Sequence, residues 1–60
     1  MTYRLKALMN IRREPSVESE KMGQKKEGAL VPVISLENDW LGLEEGGFIL
    51  FADGKFAERV

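Results

Sequence analysis

The side chains that enzymes most often use for nucleophilic catalysis are missing from this chain. It contains no cysteine and no histidine, so the common nucleophile–base pairs and the most frequent zinc ligands are absent. Glu44 and Glu45 are adjacent carboxylates, but neighbours in an extended chain point apart, which is typical of a solvated hairpin tip. Asp53-Gly54-Lys55 lacks the series of oxygen ligands that a calcium loop requires. We therefore expect a protein that is not an enzyme and that holds no metal and no cofactor.

Side chains suited to binding are better represented. Trp40 is the only tryptophan, a large apolar plate with one polar N–H. It could be a partly buried plate at the rim of the core, or it could stack on a ligand. Arg12 and Arg13 have the same two interpretations. They could grip a carboxylate in a bidentate manner, or they could pair with Glu14 or Glu18, where each exposed pair contributes about 0.2–1 kcal/mol.

The first half of the chain predicts two strands and a long loop. Apolar and polar residues alternate from Tyr3 to Ala7, and the alternation continues at Met9 and Ile11, which is the pattern of half-buried strands. Residues 16–26 are mostly polar. A helix there would have only two apolar residues to bury, so we expect a loop that leads into a short strand near Met22.

The second half predicts further strands separated by turns. We expect strands at 29–36, 40–43, 48–51 and 56–60. Pro32 cannot donate a backbone hydrogen bond, so its strand should be at an edge or bulged at that point. Roughly five to six short strands with regular turns indicate a small all-β barrel or sandwich. Its expected core is Met9, Val31, Val33, Leu43 and Ile49.

The sixty residues are enough for one domain, which we place at residues 1–60. A chain this short buries only about 60% of its unfolded surface and is therefore marginally stable. Disulfides cannot contribute because there is no cysteine. Good packing remains, and self-association into a homo-oligomer is one further source of stability.

Three segments resemble the bacterial SH3 domain family. Met9–Ser16 resembles its "L-N-V-R-x-x-P-S" opening, and Met22-Gly23 with Gly28 and Val31-Pro32-Val33 resembles its middle. Trp40–Leu43, followed by Gly47-Phe48-Ile49, resembles its "W-x-x-V … G-W-V" end. The resemblance spans about residues 3–60. The chain departs from the family at Glu14, where glycine is usual, and at Phe48, where tryptophan is usual. The resemblance implies a small SH3-like barrel.

The same resemblance implies a binding module. Its ligand would be a peptidoglycan-derived or other peptide, held between the loop at 13–20 and the turn before Trp40. The ligand-binding candidates are Arg12, Arg13, Glu14, Trp40 and Phe51. Few aromatic residues are available, and some of them must belong to the core. The resemblance is therefore a stronger basis for predicting the fold than for predicting a role at the cell wall.

Two other functions compete with peptide recognition. The chain could be an intracellular or phage-encoded assembly component that binds a protein partner or itself through the apolar strand at 30–36. Nucleic-acid binding is disfavoured. Basic residues are in excess in residues 1–26, but only Tyr3 lies among them as a stacking aromatic.

The sequence predicts no membrane insertion. No apolar run approaches the ~20 residues of a membrane-spanning helix. The first residues lack the apolar core and cleavage site of a secretory signal. We expect the chain as given to stay in the cytoplasm, and to be extracellular only if it is a fragment of a secreted protein or is released by lysis.

Overall fold

The computed structural model describes all residues, 1–60, and they form one antiparallel sheet. Its seven strands are β1 (Thr2–Leu5), β2 (Met9–Arg12), β3 (Lys21–Lys25), β4 (Leu30–Glu37), β5 (Trp40–Leu43), β6 (Phe48–Leu50) and β7 (Ala57–Arg59). A single 3-10 turn, Ala52–Gly54, connects β6 to β7. No helix is long and apolar enough to cross a membrane. The predicted all-β class is confirmed, with seven strands where about five to six were expected.

The order of the strands across the sheet is β3-β2-β6-β5-β4-β1-β7. Every pairing between neighbours is antiparallel. The outermost strands are β3 and β7, and they do not pair with each other, so the sheet is not closed. The loop at 13–20 joins β2 to the edge strand β3, whereas β5 lies in the middle of the sheet.

The proline-containing strand β4 is an interior strand, so the edge position that Pro32 suggested is wrong. The proline is tolerated because β5 ends at Leu43, which pairs with Val33, so Pro32 lies beyond that ladder. Its carbonyl still accepts a hydrogen bond from the N–H of Glu44 at 3.0 Å. The expected irregularity is present nearby, as a shift of register between Val33 and Ser35.

The core consists of nine buried apolar residues: Tyr3, Leu5, Ile11, Val31, Val33, Leu41, Leu43, Ile49 and Ala57. Four of the five predicted core residues belong to it, and the fifth, Met9, is partly buried and packs against it. Alternation along each strand explains the selection, since every second side chain points to the same face. No polar or charged residue is buried.

A close approach between β6 and β2 requires glycine at position 47. Gly47 has a φ of +89°, and a Cβ there would lie 2.6 Å from Cγ2 of Ile11 and 3.2 Å from the carbonyl oxygen of Arg12. We expect Gly47→Ala to lower the free energy of unfolding by about 2–5 kcal/mol, combining the cost of a positive φ with that of overpacking. Urea unfolding followed by Trp40 fluorescence measures the change.

The adjacent glycine is a matched control. Gly46 has a φ of +102°, but a Cβ there would meet nothing within 4 Å. Gly46→Ala should therefore carry only the conformational cost of about 1–2 kcal/mol. Equal destabilisation by the two substitutions would contradict the close approach at Gly47.

Candidate functional site

The hairpin between β4 and β5 positions Trp40. Asn38 and Asp39 form its two-residue turn with φ values of 50° and 72°, the pattern of a type I′ turn, whose twist matches that of the flanking strands. Glu37 and Trp40 pair directly across the hairpin, which puts their side chains on one face of the sheet. Because Leu41 points into the core, the indole of Trp40 is left on the outer face, where it is half-buried.

The hairpin turn is fastened to the segment that follows β6. The carboxylate of Asp39 accepts a hydrogen bond from the N–H of Asp53 at 2.7 Å. The carbonyl of Asp39 accepts another from the N–H of Phe51 at 2.8 Å. These two hydrogen bonds hold the turn, and with it the start of β5, in place against the segment that follows β6.

The loop at 13–20 lies opposite the turn, and hydrogen bonds close its neck. The N–H of Arg13 donates to the carbonyl of Glu20 at 3.0 Å. The N–H of Glu14 donates to Oγ of Ser19 at 2.9 Å, and Nη1 of Arg12 donates to the carbonyl of Ser19 at 3.0 Å. These hydrogen bonds hold the loop in a defined conformation beside the turn.

Two cavities adjoin each other at Trp40, and together we call them the Trp40 groove. The first has a volume of about 300 Å³ and is lined by Pro15, Ser35, Glu37, Asn38, Trp40 and Phe48. The second has a volume of about 170 Å³ and is lined by Met9, Asn10, Arg12, Val17, Trp40 and Leu50. The tryptophan is the one residue that both share. The groove therefore runs past the indole, between the loop at 13–20 and the β4–β5 turn.

The two cavities carry opposite charges. Glu37 is the only charged residue that lines the first, and Arg12 is the only one that lines the second. Neither takes part in an ion pair. The ion pairs of the protein are Arg4–Glu58, Arg13–Glu20 and Lys25–Glu45. The groove thus presents an acidic end and a basic end, with an aromatic plate between them.

Of the predicted ligand-binding residues, Trp40 and Arg12 line the groove. Arg13 is exposed and pairs with Glu20 at 3.2 Å, so the suggested pairing with Glu14 or Glu18 is wrong. The reason is the antiparallel entry and exit of the loop, which sets residues 13 and 20 side by side. Glu14 is exposed in the loop and lines neither cavity.

Phe51 is not brought to the groove. It packs against the core, and its ring meets that of Tyr3 edge to face with centroids 5.8 Å apart. It lines neither cavity. The structure therefore gathers two of the five candidates around one groove and sets Phe51 apart from it.

Several residues that line the groove could be identified only once the strand register was known. Phe48 and Leu50 flank the buried Ile49 and therefore emerge on the opposite face. Leu50 pairs with Trp40, and Phe48 pairs with both Gly42 and Arg12. Alternation along β6 could have identified both residues, but only together with the order β2-β6-β5.

No known protein family, curated protein or solved structure matches the chain.

Proposed function

We propose that this protein is a non-catalytic binding module of bacterial SH3 type that recognises a peptidoglycan-derived or other peptide ligand in the Trp40 groove. The observation that carries the proposal is the half-buried indole that lines both cavities. An aromatic plate with a few convergent polar groups is typical of a ligand site.

The polar groups around the indole suit a peptide backbone. Ser35 and Asn38 line the first cavity, and Asn10 lines the second. Their hydroxyl and amide groups both donate and accept hydrogen bonds, as the N–H and C=O of a peptide require. The groove contains no thiol and no imidazole, which supports binding without catalysis.

An SH3-like barrel is the architecture that we propose for this sheet. Seven short antiparallel strands and a core of nine residues support it. A long loop between the second and third strands, which forms one wall of the groove, supports it as well. Because β3 and β7 are unpaired with each other, the barrel would be a partly open one.

Co-sedimentation with purified Gram-positive sacculi tests the proposed ligand. We expect saturable pelleting of the protein, and loss of pelleting when the stem peptides have been removed from the sacculi by an amidase. Complete retention in the supernatant with intact sacculi would overturn the cell-wall ligand.

A second candidate function rests on a different surface. Three exposed apolar residues, Leu30, Pro32 and Ile34, follow one another along β4, and we call them the β4 outer row. Leu30 is 57% exposed and Ile34 is 68% exposed. Contiguous exposed apolar residues often mark a protein interface, so an assembly role through this row is the alternative. Size-exclusion chromatography over a concentration series would favour it if an oligomer forms and Ile34→Lys dissociates that oligomer.

A further inference from the structure

We propose that the Trp40 groove binds a short zwitterionic peptide in one direction, with the peptide's amino group at Glu37 and its carboxylate at Arg12. The inference rests on the proposed function and adds the length, end groups and orientation of the ligand. The juxtaposition that carries it is a carboxylate and a guanidinium, neither of them in an ion pair, on strands that lie to either side of the one that begins with Trp40.

Both charges are available to a ligand. Glu37 is exposed and takes part in no ion pair and no side-chain hydrogen bond. Arg12 uses Nη1 to bind the carbonyl of Ser19, and a guanidinium has five N–H donors, so donors remain. The neighbouring Arg13, in contrast, is already paired with Glu20.

The strand order sets the length of the ligand. Glu37 is on β4 and Arg12 is on β2, with β5 and β6 between them. Three interstrand spacings of about 4.8 Å amount to about 14 Å. Trp40 is level with Glu37 and Leu50, whereas Arg12 is level with Phe48, so an offset of two residues makes the diagonal about 16 Å. An extended chain covers about 3.3–3.6 Å per residue. A peptide of about four or five residues therefore reaches from one charge to the other across Trp40.

The charges also set the direction. The proposed orientation places an ammonium group at a carboxylate and a carboxylate at a guanidinium, which can bind it through two parallel hydrogen bonds. The reversed peptide would place like charges together at both ends, which costs binding free energy. Hence only one orientation is favoured.

Titration of Trp40 fluorescence with synthetic tetra-alanine tests the orientation. We expect the peptide with free ends to bind, and acetylation of its N-terminus or amidation of its C-terminus to weaken binding by about threefold to tenfold each. In Glu37→Gln, acetylation should no longer matter while amidation still does. In Arg12→Gln the reverse should hold, and Arg12→Lys should keep the effect of amidation.

Matched variants distinguish an effect of the groove residues from an effect of the net charge of the protein. Glu44→Gln and Arg59→Gln make the same charge changes at exposed residues that line neither cavity. Acetylation and amidation of the peptide should therefore still weaken binding to these two variants. Three results would each overturn the inference. The first is no binding of the free peptide at about 10 mM, and the second is no effect of either acetylation or amidation. The third is that acetylation weakens binding to Glu37→Gln as much as binding to the parent. Trp40-dependent pelleting with sacculi would survive any of these results, because a stem peptide in the sacculus is amide-linked at its amino end and does not present the free ammonium group that the inference requires. If pelleting fails while the cap effects hold, the cell-wall ligand is wrong and the orientation stands for another peptide.

Discussion

Replacing Ile49 with alanine is expected to lower the free energy of unfolding by about 2–5 kcal/mol. Ile49 is fully buried at 0% exposure in the short strand β6. The substitution removes apolar surface from the interior and leaves a cavity that the sheet can only partly close. β6 also connects β2 to β5, so loss of packing there affects both halves of the sheet.

The effect is large relative to the whole stability of the protein. Folded domains have about 0.05–0.15 kcal/mol of stability per residue, or about 3–9 kcal/mol for a chain of this length. The variant should therefore lose a large part of the stability of the protein at 25 °C. Urea titration followed by Trp40 fluorescence would show a midpoint at much lower urea, or no folded baseline at all.

Ile34 offers the matched control. It undergoes the same substitution at a residue that is 68% exposed, so Ile34→Ala should change stability by no more than about 0.5 kcal/mol. If the two variants unfold at the same urea concentration, Ile49 is not the core residue that the structure makes it.

Trp40→Ala is expected to weaken ligand binding by at least about tenfold, the loss typical of a central aromatic residue at an interface. Trp40 is shared by both cavities, so its removal takes away the plate between them. Trp40→Phe keeps a smaller plate and should bind with intermediate strength. Binding is measured by pelleting with sacculi and gel densitometry, because the variant lacks the only tryptophan.

Two controls keep the Trp40 result interpretable. Far-UV circular dichroism must show that Trp40→Ala is still folded, since the indole is half-buried. Leu30→Ala removes an exposed apolar side chain of the β4 outer row and should bind as the parent does. A folded Trp40→Ala that pellets normally, beside a Leu30→Ala that does not, would move the binding surface to that row.

Local patterns in the sequence are sufficient to predict most of the strands. β5 begins and ends where the sequence predicted, because the turn at Asn38 and Asp39 and the glycines at 46 and 47 border it. The short strand near Met22 is present as β3. In each case the signal lies within a few residues of the strand itself.

Strand order and position in the sheet depend on contacts between distant residues, and there the sequence left β4 open between an edge position and a bulge. β4 pairs with β1 on one side and β5 on the other, so Pro32 is inside the sheet. The proline is accommodated by the end of β5, which no local pattern around Pro32 reveals. Tyr3 and Phe51 also meet only because the sheet brings the start of the chain to the segment after β6.

In the candidate site, too, some residues could be predicted from the sequence and others depend on the strand register. Trp40 and Arg12 were candidates because of the family resemblance and the chemistry of their side chains, and both line the groove. Glu37 and Leu50 line the groove because they pair with or lie opposite Trp40 on neighbouring strands, and register is needed to find them. Phe51 was chosen as an aromatic residue, but it is partly buried and packs against the core instead.

The order of the strands implies that local stability differs across the Trp40 groove. β5 is bonded on both sides, by β4 and β6, whereas β3 has only β2 as a neighbour. The free energy of local unfolding generally rises from sparsely bonded edges to the interior of a sheet. Trp40 thus belongs to an interior strand, whose amide protons should exchange slowly, while the loop with Pro15 and Val17 leads into an edge strand, whose amide protons should exchange sooner. A ligand in the groove would contact β5, which stays ordered, and its dissociation would depend on opening of the loop at 13–20.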